Sequence, residues 1–206
     1  MTLAIVTFFA NIIIYIISTF RYLGIFLTMM AEATGIPLPS EIILPFSGYL
    51  VFKGELSFIL VCLTGAVGDL AGSYIAYQIG LKGGRPLLEK YGKWVLISKH
   101  DIDLAEKWFK KYGKITVFFS RFLPVVRTYS SFPAGISEMN LSIFTLYTFI
   151  GALIWSVILT WVGFKLGQNW HTFGNYFRQF DLLIGIVIVI LIGLYIYRHL
   201  KNLKSN

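Results

Sequence analysis

Charge is what this sequence has least of. Of its 206 residues, 14% are charged and 56% hydrophobic, and the mean hydropathy is +0.71. A soluble domain carries about 25% charged residues, so the composition points to an integral membrane protein. Cysteine is almost absent: Cys62 stands alone inside an apolar run, which excludes a disulfide framework and offers no thiol site. The three histidines, His100, His171 and His199, are far apart and lack ligand spacing, so neither a metal nor another cofactor is expected. The sequence also lacks Gly-x-Ser-x-Gly, a phosphate-cradling P-loop and His-Glu-x-x-His, which leaves an enzyme without its usual motifs. The N-terminal run has no basic leader region and no small-residue cleavage site, and reads as an uncleaved anchor.

What is present are long uncharged runs. Residues 3–20, 139–164 and 182–197 carry no charge, and 56–81 carry only Asp69. A spanning helix needs roughly 20 apolar residues, and the shorter last run is extended by Asp181 and Arg198, whose side chains can reach the interfaces. The net charge of +8 is not spread evenly. Nine Lys or Arg and four acids fall between Lys82 and Lys114, and the tail adds Arg198, Lys201 and Lys204. Without a recognition module this does not indicate nucleic acid; basic loops mark the cytoplasmic side of a membrane protein and contact anionic headgroups. The segment 85–114 reads as cytoplasmic. Within it SKHDIDLAEKWFKKYGK (98–114) forms an amphipathic helix on the inner leaflet, with Ser98 as N-cap, Asp101 at N3, Ile102, Ala105, Phe109 and Tyr112 on one face, and Gly113 at its end.

With both basic regions inside, the chain between Lys114 and Arg198 crosses an even number of times. Runs 139–164 and 182–197 supply two crossings, with 166–180 outside between them. Segment 115–138 therefore enters and returns, and Pro124, Pro133 and Gly135 supply the breaks. Upstream, 31–50 holds Pro37, Pro39, Pro45 and Gly48 among apolar residues and reads as a second re-entrant hairpin, entering from outside after an outward helix at 3–20. The two halves repeat at an offset near 85 residues: LPSE (38–41), PFSG (45–48) and Gly65-Ala66 answer to LPVVR (123–127), PAG (133–135) and Gly151-Ala152. The expectation is one all-α, multi-pass membrane domain over 1–206, with both termini cytoplasmic. Inverted repeats, each a hairpin and a long transmembrane helix, are flanked by N- and C-terminal helices.

Glu32, Glu41, Asp69, Arg121 and Arg127 all fall at membrane depth. An Arg or Asp at a helix centre costs roughly 2.5–3.5 kcal/mol on insertion scales, so such groups pair or line a cavity. One hairpin is acidic and the other basic; if the tips meet, they neutralise one another. A guanidinium also holds two phosphate oxygens at once, so the set suits an anionic headgroup exchanged against a proton. The plainer alternative is ion pairing that locks the hairpins together. Asp69 has its own plain reading, as an acceptor for Tyr74 or Tyr77. Arg21 and Glu138 read as interfacial. Glycines 65, 68, 72, 163 and 167, at spacings of three and four, read as close helix packing. The Asn140-Leu141-Ser142 sequon falls on the cytoplasmic side and is discounted.

The pattern Glu32…Pro37-Leu-Pro39-Ser-Glu41, Gly65…Gly68-Asp69…Tyr77…Gly80 resembles the first half of the DedA family (VTT domain, once called SNARE-associated). Phe119-Ser-Arg121-Phe-Leu-Pro124…Arg127…Ala134-Gly135…Met139…Phe144…Gly151…Trp155…Gly163 resembles its second half. The resemblance covers roughly 20–170, and its most specific part is the arginine pair six residues apart; Ser120 stands where the family often has glycine. What it implies is lipid translocation in the bacterial cytoplasmic membrane, of undecaprenyl phosphate or a phospholipid such as phosphatidylethanolamine, with proton dependence. Carried over by motif, the essential acids are Glu32, Glu41 and Asp69 and the essential bases Arg121 and Arg127. Its partners are then membrane lipids and protons, with self-association left open. A proton-driven exporter of small solutes and a non-transporting scaffold are the rival readings.

Overall fold

The computed structural model describes residues 2–36, 38–91 and 99–167. The predicted helix 182–197, the basic tail, Pro37 and Ser98 lie outside the described residues. Among the described residues the protein is all helical, without a strand. The elements are α1 (Thr2–Phe20), α2 (Tyr22–Ala33), α3 (Ser40–Phe52), α4 (Phe58–Tyr91), α5 (Lys99–Ser120), α6 (Pro124–Tyr129), α7 (Ser131–Ile136) and α8 (Leu141–Lys165). Two of them are long and apolar enough to cross a membrane: the Phe58–Gly83 part of α4, and α8. Both match runs read from sequence to within two residues, and neither stretch holds a proline.

The other helices are shorter. α2 and α3 have 12 and 13 residues, about 18–20 Å each, against a hydrocarbon core of about 30 Å. The chain turns between them at 34–39, where Gly35 takes φ +111°, open to glycine alone without strain. Its ends come back together: the Ser57 N–H, just before α4, donates to the Tyr22 hydroxyl at the start of α2 (2.8 Å). The second half does the same. α5 ends at Ser120, the chain turns at 121–123, and α6 and α7 return it. Met139, after α7, has its Sδ at van der Waals distance from where a Cβ on Gly113 of α5 would sit. The Tyr77 hydroxyl donates to the Met139 carbonyl (2.5 Å). Tyr77 lies 20 residues beyond Ser57, or about 30 Å along α4. The two helical turns thus close at points about 30 Å apart along α4.

Each returning arm packs on the long helix of the other half, through glycines placed alike. A Cβ on Gly48 of α3 would collide with the Thr160 carbonyl of α8, and one on Gly163 of α8 with the Pro45 carbonyl of α3. In the other half, a Cβ on Gly135 of α7 would collide with the Tyr77 carbonyl of α4, and one on Gly80 of α4 with the Phe132 carbonyl of α7. Pro45 and Gly48 stand to Thr160 and Gly163 as Phe132 and Gly135 stand to Tyr77 and Gly80.

The structure departs from the sequence reading at several places. The first turn begins at Tyr22 rather than 31, because Arg21 (φ 51°) breaks α1 from α2. Pro45 does not interrupt α3, which runs through it; only the Glu41 carbonyl loses its helical donor. Gly113 does not end a surface helix. α5 continues to Ser120, so the 114/115 boundary falls inside one helix, where the apolar packing of buried Val117 outweighs glycine's weak helix propensity. Tyr112 is exposed, while Phe109 joins a core with Tyr77, Val117, Ala134 and Phe144. Pro133 sits within the first turn of α7 and Gly135 within the same helix, as a packing glycine. Pro39 is the extended N-cap residue of α3, and Pro124 opens α6. Asn140, from the discounted sequon, caps α8: its Oδ1 accepts from the Ile143 N–H (3.2 Å).

Candidate functional site

The tips of the two turns meet beside the middle of α4. Asp69 reaches them because α4 is unbroken there, and Gly68 lets α2 approach: a Cβ on it would fall 2.6 Å from the Phe26 carbonyl oxygen. Four charged side chains converge: Glu32 from the end of α2, Asp69 from α4, Arg121 from the turn after α5 and Arg127 from α6. All are at least 95% buried.

Arg121 is spread over many acceptors. Its Nη1 donates to Asp69 Oδ2 (3.3 Å), Ser73 Oγ (2.9 Å) and the Arg127 carbonyl (3.4 Å). Its Nη2 donates to Ser131 Oγ (3.0 Å) and Thr148 Oγ1 (3.3 Å), and Nε has no partner. One guanidinium therefore ties α4, α7 and α8 to the second turn. Arg127 is bound differently. Its Nη2 donates to Glu32 Oε2 (2.5 Å) and lies 3.6 Å from Asp69 Oδ1, while its guanidinium carbon stands 5.6 Å from the Trp155 ring centre. Asp69 bridges the two arginines, and the four groups cancel in charge. A neutral set is what a low-dielectric interior requires, since a lone buried charge is far more costly than a matched pair.

The structure brings together Glu32, Asp69, Arg121 and Arg127. Glu41 is half-buried in the first turn of α3, forms no ion pair with the arginines, and has an unpartnered buried Oε1. Tyr77 does not serve Asp69, since its hydroxyl goes to Met139, and Tyr74 is exposed. Arg21 and Glu138 are exposed. Sequence reasoning missed Ser73, Ser131 and Thr148, and named Trp155 only as part of the family pattern. A signal existed for Ser73: it stands one helical turn after Asp69, so an apolar helix carries two polar groups on one face. Replacing Asp69 by Asn is expected to destabilise the protein by about 3–5 kcal/mol, because Arg121 stays buried without its carboxylate. Ser73→Ala should cost only about 1–2 kcal/mol. Thermal unfolding of the two variants in the same detergent compares them directly.

The VTT domain model matches residues 38–165, which contain the whole second turn and both long helices. The chain belongs to the VTT-domain family. It is 41% identical over 174 residues to undecaprenyl phosphate transporter A of Bacillus subtilis, covering 84% of this chain and 86% of that protein. Undecaprenyl phosphate transporter A of Staphylococcus aureus is 32% identical over 198 residues, 94% of this chain and 98% of its own. An alkaline phosphatase-like protein of Lactococcus lactis is 34% identical over 209 residues, 95% of this chain and 98% of its own. No solved structure matches the chain. A membrane location follows from the family and the apolar helices together.

Proposed function

We propose that this protein carries a lipid with a phosphate headgroup across the bacterial cytoplasmic membrane, undecaprenyl phosphate first and a phospholipid such as phosphatidylethanolamine second. The observation that carries the reading is Arg127. It is a buried guanidinium held by Glu32 and Asp69 between two turns, in a chain two of whose relatives bear the name undecaprenyl phosphate transporter. Both turns are re-entrant in this reading, entering from opposite faces. Arms of half-bilayer length, ends tied by Ser57–Tyr22 and Met139–Tyr77, and the reciprocal glycines support it.

The steps follow from the charges. A headgroup phosphate displaces Glu32 from Arg127, because the monoester dianion of undecaprenyl phosphate brings more charge and more acceptor oxygens than a carboxylate that holds the guanidinium through one oxygen. Glu32 then lacks its cation and takes up a proton, as a buried carboxylate must. When the lipid leaves, the proton leaves with the re-forming pair. Arg121 stays in place and positions Asp69, and the lipid tails remain in the bilayer.

The test is purified protein in liposomes with labelled undecaprenyl phosphate or phosphatidylethanolamine, with and without a pH gradient. Headgroup movement above that of empty vesicles is expected; none sinks the reading. Gradient-driven solute flux without lipid movement favours an exporter, and copurifying partners without either favours a scaffold. The topology has its own check. Single cysteines at exposed Glu55 and Glu138, in a chain whose lone Cys62 is buried, should label from the outside and the inside respectively. Labelling of both from one face defeats opposite entry.

A further inference from the structure

A folded protein leaves few buried donors without acceptors, yet several stand together beside Arg127. Trp155 Nε1 is buried and unpartnered, on the ring that the Arg127 guanidinium covers. Ser40 is fully buried and its Oγ has no partner. Ser40 opens α3, a 13-residue helix whose N-cap is Pro39, a residue with no capping side chain. The Ile42 and Ile43 N–H groups bond back to the Pro39 carbonyl. The N–H groups of Ser40 and Glu41 have no acceptor within the helix, and the positive end of its dipole faces the site.

These groups lie at one level. Leu44 Cδ2 and Ser156 Oγ both meet Gly65 of α4, so Ser40 and Glu41, one turn before Leu44, stand level with Trp155. Ser40 stands near enough to the Glu32 carboxylate for its hydroxyl to turn to it, a tie that is released when phosphate displaces Glu32, and Glu41 is within Coulomb reach of Arg127. The unpartnered hydroxyls of Ser156 and Thr160 lie further along α8, where it packs against α4 and α3, and take no part.

We infer that Trp155 Nε1–H, Ser40 Oγ–H and the Ser40 and Glu41 amides at the start of α3 donate to the oxygens of a bound phosphate monoester. They form the uncharged wall of the site whose charged wall is Arg127. The inference rests on the phosphate-lipid reading above and adds what that reading lacks. Arg127 alone occupies two phosphate oxygens, and the remaining oxygens of a desolvated monoester need donors as well. A helix start with a hydroxyl and an indole N–H supplies them without adding charge.

The test uses full-length protein in nanodiscs, with undecaprenyl phosphate and its parent alcohol undecaprenol as the two probes. Wild type is expected to prefer the phosphate. Trp155→Phe keeps the ring under Arg127 and loses only the N–H, so it should unfold at the wild-type temperature, and Ser40→Ala, which loses a hydroxyl beside Glu32, should unfold close to it. Each should weaken phosphate-lipid binding about tenfold and leave weak alcohol binding unchanged. The Trp155 indole N–H resonance, assigned by its loss in Trp155→Phe, should move downfield with the phosphate lipid and not with the alcohol. Unchanged affinity in both variants with no resonance shift overturns the inference and leaves the transport reading standing. Failure of wild type to distinguish phosphate from alcohol overturns the transport reading itself.

Discussion

Replacing Arg127 by Lys is expected to lower headgroup translocation about 100-fold while leaving a folded protein. The substitution keeps the positive charge, so Glu32 and Asp69 still face a cation and the buried set stays neutral. It removes the planar fork, the bidentate hold on phosphate and most of the stacking on Trp155. An ammonium holds phosphate as a point charge, losing at least one charge-assisted hydrogen bond of about 1.5–3 kcal/mol in a site from which water is excluded. Liposome translocation beside thermal unfolding separates the two effects. Transport at the wild-type rate in Arg127→Lys sinks the fork. A large fall in unfolding temperature instead makes Arg127 an architectural pin, the plain alternative drawn from sequence. Arg121→Lys should behave in that second way. Five acceptors surround the Arg121 guanidinium, and a shorter, compact head cannot reach them all.

This difference between two arginines marks how far the sequence carries. Glu32, Asp69, Arg121 and Arg127 were legible because hydrocarbon makes each of them an anomaly, and anomalies of opposite sign call for one another. Their division of labour was not legible. It depends on Ser131 and Thr148, hydroxyl residues common enough in apolar helices to carry no signal without coordinates, and on Ser73, whose one signal is its place a helical turn after Asp69. The long helices α4 and α8 announced themselves by uninterrupted apolar runs. Element ends were harder. Pro45 and Gly113 look like stops, yet α3 and α5 run through both, since a helix packed against neighbours tolerates a breaker that an isolated helix does not. Arg21 looks like an ordinary interfacial charge but takes a positive φ and divides α1 from α2. Glu41 was grouped with the paired acids by its motif, and its lack of an arginine partner emerges only from the placement of α3.

The reciprocal glycines give the second large effect. Gly135→Ala is expected to cost about 3 kcal/mol or more, at the upper end for overpacking. The added Cβ meets the Tyr77 carbonyl oxygen and the Leu81 nitrogen, both backbone atoms of a long helix that cannot turn aside as a flexible side chain does. Gly48→Ala should cost a similar amount, against Thr160 and Phe164 of α8. Equality of the two is the informative part. If the halves are related by an inverted repeat, each returning arm docks on the opposite long helix by one and the same contact, and two positions 87 residues apart respond alike. Gly113→Ala is the internal standard: its nearest neighbour is the Met139 sulfur at 3.4 Å, so the methyl group fits. Relieving α5 of a glycine should then stabilise the protein by up to about 1 kcal/mol. Unfolding temperatures that fall together for Gly48→Ala and Gly135→Ala, with Gly113→Ala unchanged or raised, are the expected result. A Gly48 variant that tolerates the methyl group while the Gly135 variant fails breaks the equivalence of the two halves.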